Sequence, residues 1–220
     1  MVRIPAGWFE MGQDDGRASN QPRHRVYLED YSIQMTEVTV AEFAEYMAST
    51  GYILTDWDPQ WATVNGDLPL TGVLWKDAEA YCRWRGWRLP TEAEWEKAAR
   101  GTDSRRYPWG DNWDDRKANT LEASSDRLLP VGSLPQGASP YRLLDMSGNA
   151  AEWVSDYFDF NYYQVSPEIN PTGPTDVLDH GLRGGSYASS ADQATTYFRD
   201  SSHSVLPNPR VGFRCAFTAP

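Results

Sequence analysis

The residues with the clearest capacity for chemistry are two carboxylates in the segment LLDMSGNAAEW, residues 143–153. Asp145 and Glu152 flank a turn that contains Gly148, and the backbone carbonyls between them add further oxygen atoms. Carboxylate and carbonyl oxygens at close range are the ligands that Ca²⁺ prefers. The chemistry of this segment therefore suits Ca²⁺, with turn capping by the two carboxylates as the alternative.

The sulfur and imidazole groups indicate neither a zinc site nor a catalytic triad. The chain has two cysteines, Cys82 and Cys215, which lie outside any CxxC spacing. Its three histidines are His24, His180 and His203, and they form no HxH or HxxxH pair. Zinc sites and histidine-rich redox sites need such clusters, and we can assign no Ser-His-Asp arrangement.

The elements that position these groups belong to a single domain, residues 1–220, because a chain of this length builds one substantial core. Ten Trp and twelve Tyr residues can stabilise a core with little regular structure, and 17 Gly with 15 Pro indicate many turns. We predict that most of the following tryptophans are core residues. They are Trp57, Trp61, Trp75, Trp84, Trp87, Trp95, Trp109, Trp113 and Trp153.

The charge and hydropathy of the chain restrict its partners. A formal net charge of −11 repels phosphate backbones and anionic lipid, so no nucleic-acid partner is expected. No apolar run reaches the roughly 18 residues that a membrane span needs. Residues 1–5 carry no apolar signal segment. As given, the chain is therefore expected to be cytoplasmic, although a chain with a trimmed leader would look the same.

Local patterns predict an α+β domain with helices in its first half. Residues 1–38 alternate apolar and polar positions, as strands do. Capping boxes predict helices that begin at Thr39 and Thr91, and the apolar spacing predicts another helix over residues 75–84. Residues 51–72 are predicted to form a loop. Beyond Gly101 we predict no amphipathic helix, only short strands near residues 129–134, 181–187 and 211–217.

The charged residues of the predicted helices are interpreted as solvated faces. These residues are Lys76, Asp77, Glu92 and Glu96. Arg183 and Arg199 lie in the irregular half, and we expect them to pair with carboxylates in a structural role.

An ordered series of motifs resembles the formylglycine-generating enzyme, or sulfatase-modifying factor, family. The motifs are IPAGWFEMG (4–12), DYSIQMTEVTVAEF (30–43), GVLWKDAEAYCRW (72–84), RLPTEAEWEKAARG (88–101), YPWGD (107–111), PVGSLP (130–135), LLDMSGNAAEW (143–153), RGGSY (183–187) and VGFRCA (211–216). They cover essentially the whole chain. The resemblance implies a C-type-lectin-like fold, which the spacing of the residues alone does not.

The resemblance also implies calcium ligands at numbered positions. The first set would be the side chains of Asp145 and Glu152 with the backbone carbonyls of Gly148 and Ala150. A second set would be Asn119, Thr120 and Asp126, whose spacing departs from the enzyme pattern. Calcium is accordingly expected as a structural cofactor.

The copper site of the family's enzymes has no counterpart in this sequence. Those enzymes bind copper through two cysteines shortly after RGGS, and the matching positions here are Ser189 and Ala194. A hydroxyl and a methyl group cannot replace the thiolates that select Cu(I). Copper and formylglycine-generating activity are therefore not expected. Cys82 and Cys215 match a pair that some secreted members bridge, and we interpret them here as two neighbouring buried thiols.

The segment between Ala188 and Asn208 has an unusual composition. It contains no Lys, Glu, Met or Trp, and Gln193 is its only glutamine. This pattern resembles the variable proteins of diversity-generating retroelements, which belong to the same family branch and carry a hypervariable segment between RGGS and GFR. We term residues 188–208 the display segment, within a suspected variable region of residues 183–211. The alternative is a short polar loop that lacks these residue types by chance.

The sequence thus predicts a non-catalytic domain that binds an unidentified protein or small ligand through the display segment. The alternatives are an oxidoreductase or maturation factor of the same family that uses non-copper chemistry, and a structural subunit. The candidate ligand-binding residues are Ala188, Ser189, Ser190, Asp192, Thr196, Tyr197, Phe198, Asp200, Ser201, Ser202, His203, Val205, Leu206 and Asn208.

Overall fold

The computed structural model describes residues 1–55, 57–175, 177–203 and 205–219. The helices are α1 (Val40–Thr50), α2 (Pro59–Val64), α3 (Trp75–Trp84) and α4 (Glu92–Arg100). The strands are β1 (Val2–Ile4), β2 (Gly7–Met11), β3 (His24–Leu28), β4 (Tyr31–Ile33), β5 (Ala151–Tyr157), β6 (Asp179–Arg183), β7 (Asp200–His203), β8 (Val211–Phe213) and β9 (Ala216–Phe217). Long irregular segments join them, which confirms the predicted α+β class.

The strands form three small sheets. The largest has the order β7-β6-β5-β8, and the others are β1-β4-β9 and β2-β3. In the largest sheet β5 pairs antiparallel with β6 and parallel with β8, and β6 pairs antiparallel with β7. The sheet that contains β4 joins the beginning of the described chain to its end, because β1 and β9 flank that strand.

The helices begin and end where their capping residues predict. In α1 the side chain of Thr39 accepts a hydrogen bond from the Glu42 amide, and Gly51 closes the helix in the left-handed region. Thr91 and Glu94 cap α4 in the same way. The prediction of a loop over residues 51–72 is wrong in part, because it missed α2. The available signals were Asp58 as N-cap and Pro59 in the first helical position.

The irregular half contains no α-helix among its described residues, as predicted, but its strands were only partly predicted. The strand predicted near residues 129–134 is absent, and this segment is a turn in which the Gly132 amide donates to Asp145. Two strands were missed. β5 is buried on most positions and shows no clean alternation, while β7 has the polar sequence DSSH.

The tryptophans are less uniformly buried than predicted. Trp95 and Trp153 are fully buried, and Trp61 is 45% exposed. The others in the predicted set are half-buried. The core consists of two clusters: one lies around Trp95 and the β2–β3 hairpin, and the other lies around Trp153, α1 and α3.

The interpretation of Asp77, Glu92 and Glu96 as solvated is wrong, and only Lys76 is exposed. Every residue of α4 is buried, so its charges need protein partners. Asp77 is also buried, and its carboxylate accepts hydrogen bonds from the Leu74 amide and the Tyr52 hydroxyl.

Glu92 and Glu96 form a network with three buried arginines, which we term the arginine–glutamate network. Glu96 accepts hydrogen bonds from Arg183 and, at 2.7 Å, from Arg100. Glu92 accepts two from Arg199, at 2.8 and 2.9 Å. Burial raises the pKa of Glu96, but the charges of Arg183 and Arg100 outweigh it and hold that pKa below its usual value. The expected structural pairing of Arg183 and Arg199 is confirmed.

The interpretation of Cys82 and Cys215 as separate thiols is wrong, because the structure joins them in a disulfide with Cα atoms 5.6 Å apart. The bond links α3 to the residue just before β9. Both side chains are fully buried. The sequence could not decide this point, since buried neighbouring thiols and a disulfide have the same spacing.

No helix among the described residues has the length and apolar character that a membrane span requires.

We expect Glu96→Ala to destabilise the fold strongly, because it leaves Arg100 and Arg183 buried without their shared carboxylate. Breaking a buried ion pair in this way costs about 3–5 kcal/mol. Urea denaturation of parent and variant measures the loss. Glu79→Ala is the control, since it removes a helical ion pair to the exposed Arg83, and should change the free energy of unfolding by less than about 0.5 kcal/mol. Equal effects of the two substitutions would contradict this account.

Candidate functional site

The first predicted calcium set lies where the β5 strand begins. Asp145 adopts a left-handed backbone conformation (φ 59°) and its Oδ2 accepts a hydrogen bond from the Gly132 amide at 2.6 Å. Glu152 is fully buried and its carboxylate accepts hydrogen bonds from Arg214 at 2.7 Å and from the Trp95 indole at 2.8 Å. Gly148 and Ala150 are buried between them. No three His, Cys, Asp or Glu side chains are arranged to hold a metal ion in the parts of the chain that the structure describes.

A third carboxylate, Glu37, lies close to this set and was missed by the sequence reasoning. It is fully buried, and its Oε1 accepts a hydrogen bond from Asn149 at 2.9 Å while its Oε2 has no partner. Burial raises the pKa of Glu37 well above its usual value; the charge of Asp145 raises it further, and Arg214 opposes the shift. An unpartnered buried carboxylate oxygen beside another carboxylate requires a proton or a cation. Both oxygens of Glu152 already accept hydrogen bonds from Arg214, so calcium at this set stays a prediction.

The second predicted calcium set lies where its buried polar groups are bonded within the protein, and it stays a prediction. The Asn119 side chain donates to the Arg127 carbonyl at 2.9 Å and to Asn149 at 3.0 Å, and it accepts from the Ser125 hydroxyl. The Thr120 hydroxyl donates to Glu122 at 2.8 Å. Asp126 is exposed. The polar atoms of the buried residues are thus used within the protein, and the only carboxylate of the set faces solvent.

Ser189 and Ala194, which stand where the family's enzymes have their copper cysteines, lie in the first half of the display segment. Ser189 is half-buried and its Oγ accepts a hydrogen bond from the Ser186 amide at 3.0 Å, while Ala194 is fully buried. Gly185 has a φ of 69°, and a Cβ there would lie 2.8 Å from the Gln193 carbonyl oxygen. The backbone therefore folds back tightly on itself here, and the adjacent pocket, which Phe198 also lines, has a volume of only about 40 Å³.

The backbone of the display segment is fixed by groups that lie outside it. The Arg183 guanidinium donates to the carbonyls of Thr196 and Phe198 at 3.1 and 2.9 Å. The Ser147 hydroxyl donates to the Ala194 carbonyl at 2.6 Å, and Asn20 accepts from the Arg199 amide at 3.1 Å. Further bonds of this kind run from the Leu121 amide to the Ser189 carbonyl and from the Thr196 amide to the Arg106 carbonyl.

The side chains of the display segment are mostly accessible. Val205 and Leu206 are 66% and 60% exposed. Exposed with them are Asp192, Asp200 and His203, and half-buried are Ala188, Ser189, Ser190, Tyr197, Phe198, Ser201, Ser202 and Asn208. Thr196 is the exception among the candidate ligand-binding residues. It is fully buried and its hydroxyl donates to the Arg105 carbonyl at 2.8 Å, so it belongs to the scaffold.

Two arginines outside the display segment contribute to the same surface and were missed. Arg17 lies with its guanidinium 5.1 Å from the Phe198 ring centroid and donates to the Arg199 carbonyl at 3.1 Å. Arg106 pairs with Asp192 at 2.5 Å. No sequence signal connects these residues, because the contacts span about 85 positions or more.

Comparison with known proteins identifies relatives of the whole chain. The family model described as sulfatase-modifying factor enzyme 1-like domain matches residues 1–219. The chain is 34% identical over 280 residues to the formylglycine-generating enzyme of Streptomyces coelicolor. The alignment covers 98% of this chain and 88% of that protein. It is 34% identical over 236 residues to the serine/threonine-protein kinase pkn1 of Chlamydia caviae, but spans only 37% of that protein's length.

Further similarities include a protein named as inactive. The inactive C-alpha-formylglycine-generating enzyme 2 of Mus musculus is 29% identical over 281 residues, covering 100% of this chain and 86% of that protein. Among solved structures, Treponema denticola variable protein 1 aligns with a TM-score of 0.84 and 25% identity over 100% of this chain and 95% of its own. PvdO from Pseudomonas aeruginosa aligns with a TM-score of 0.83 and 24% identity over 99% and 94% of the two chains.

The calcium prediction can be tested by thermal unfolding. We expect added Ca²⁺ to raise the melting temperature of the parent protein and a chelator to lower it. A ligand at a hundredfold excess over its Kd stabilises the folded state by about 2.7 kcal/mol. Asp145→Ala and Glu37→Gln should each reduce the response to Ca²⁺.

Asp126→Ala is the matched comparison, because it removes the exposed carboxylate of the second set and should leave the Ca²⁺ response unchanged if only the first set binds the ion. If chelator leaves the melting temperature of the parent unaltered, Asp145 and Glu152 only cap turns and the calcium prediction is wrong.

Proposed function

Because the chain belongs to the sulfatase-modifying factor enzyme 1-like family, we propose that it is a non-catalytic member that binds a protein or small ligand through the display segment. The observation that carries this proposal is the separation of roles within the segment. Its backbone is anchored by side chains and carbonyls from elsewhere in the fold, whereas most of its own side chains are accessible. A rigid backbone with accessible side chains loses little entropy when it binds.

The chemistry of the family's oxidases gives this proposal its second support. The resemblance assigns copper to two thiolates, and this chain has Ser189 and Ala194 at those positions. Its only two cysteines are bonded to each other in the core. A thiolate ligand for copper is therefore not supplied by either cysteine unless that disulfide is reduced.

The composition and the relatives agree with a variable binding surface. Small polar residues flank Tyr197 and Phe198 in the sequence. Such mixtures suit adaptable recognition, since Tyr offers a large contact area at low entropic cost. The similarity to Treponema denticola variable protein 1 supports the interpretation of residues 183–211 as a retroelement-diversified region. The name of the mouse relative describes an inactive enzyme, which agrees with a non-catalytic role for this chain.

The alternative is an oxidoreductase or maturation factor, which the 34% identity to the Streptomyces enzyme favours.

We expect the display segment to tolerate diversification only at its accessible positions. One library would vary Asp192, Asp200, His203, Val205 and Leu206 together, and most members should unfold within a few degrees of the parent, because surface changes typically cost within about 0.5 kcal/mol each. Selection on a model protein such as lysozyme should then yield binders.

A matched library at Ala194, Thr196, Arg199, Gly184 and Gly185 is the control, and most of its members should fail to fold. Similar folded fractions in the two libraries, or no binder from a well-folded first library, would exclude the proposed function.

We also expect no conversion of a sulfatase-type cysteine peptide to formylglycine when the purified protein is supplied with Cu(I) and oxygen. The Streptomyces coelicolor relative is the positive control, and mass spectrometry of the peptide detects the aldehyde. Aldehyde formation by this chain would establish the enzymatic alternative.

A further inference from the structure

One cavity in the described part of the chain is lined by no residue of the arginine–glutamate network or of the calcium set. It has a volume of about 630 Å³ and lies between α2, the start of α3 and the residues around Pro207. Cavities of roughly 300–1,000 Å³ with mainly apolar walls are typical of small-molecule sites. Neither the sequence motifs nor the relatives' names assign a ligand to it.

Two tryptophans give this cavity aromatic walls without a cation of their own. Trp57 and Trp61 both line it, and Trp61 is 45% exposed. Several other tryptophans have an arginine over the ring: Arg25 lies 4.2 Å from the Trp8 centroid and Arg85 lies 5.0 Å from that of Trp87. Among the described residues no arginine is found over Trp57 or Trp61. The exposed part of Trp61 can therefore receive an external cation, while Trp57, which packs partly against the core, adds aromatic wall.

The charges that line the cavity are all negative. Asp58 and Asp77 line it, although both oxygens of the buried Asp77 are already bonded to Tyr52 and Leu74. No Lys, Arg or His is among the described lining residues. Asp58 is exposed, and its Oδ1 accepts a hydrogen bond from the Gln60 amide at 2.8 Å, which leaves its other oxygen for a ligand. With a net charge of −11 on the whole chain, the cavity attracts cations and repels anions.

We propose that this cavity binds a small organic cation with an apolar body, of the quaternary alkylammonium class. Such a cation has no hydrogen to donate, so it is recognised by aromatic faces and nearby carboxylates together. The apolar walls, which include Leu54, Leu70 and Leu74, accommodate the alkyl part. The cavity adjoins the display segment, since Pro207 lines it, but its test uses neither the display segment's partner nor the oxidase assay.

The experiment compares choline with its neutral carbon isostere, 3,3-dimethylbutan-1-ol, by isothermal titration calorimetry on the full chain. We expect choline to bind about tenfold more tightly, because the two differ in charge and hardly in shape. Replacing the hydroxyethyl arm by butyl and then hexyl should strengthen binding by about threefold to fourfold for each buried methylene.

The variants separate the aromatic contribution from the charge. Trp61→Ala should weaken all of these ligands, whereas Asp58→Asn keeps an N-cap residue on α2 and should weaken only the cations. Trp8→Ala, a half-exposed tryptophan elsewhere, is the control and should leave binding unchanged. Three results would each overturn the proposal. They are equal affinity for choline and its isostere, no binding of the hexyl compound, and ligand affinities that Trp61→Ala leaves unchanged.

Discussion

The fold depends on the burial of two glutamates on α4 that must be neutralised by arginines from distant parts of the chain. Moving an ion out of water costs several kcal/mol unless partners satisfy it. Glu92 and Glu96 are satisfied by Arg100 within the helix and by Arg183 and Arg199 from the irregular half. The same arginines bond to backbone carbonyls around them, so the charge pairs also place segments that have no regular secondary structure.

This constraint explains which features the sequence predicts. Helix ends depend on residues three or four positions apart, and Thr39 with Glu42 or Thr91 with Glu94 therefore predict them directly. The burial of Glu96 depends on an arginine 87 positions away, and a Glu in a capped helix otherwise indicates a solvated face. The burial of Glu37 could not be predicted for the same reason, because the Asn149 side chain that donates a hydrogen bond to it lies 112 positions further along the chain.

The strands show a similar division between local and long-range signals. The hairpin of β2 and β3 has alternating burial and was predicted, whereas β5 is covered on both faces and shows no alternation. The sequence of a strand that is buried on both faces cannot be distinguished by periodicity from any other short apolar run. The family motifs supplied what periodicity could not, since the order of RLPTEAEWE, GNAAEW, RGGSY and GFRC identifies the fold without any strand being recognised.

The bond between Cys82 and Cys215 joins residues separated by 133 positions of sequence, and the loop that it closes includes α4, β5 and all of residues 188–208. A protease that cuts once at the exposed Val205 or Leu206 would therefore leave two fragments that remain covalently joined. The fragments would run as one species on a non-reducing gel and separate only after reduction. A surface that carries two exposed apolar side chains can thus be nicked without either fragment being lost.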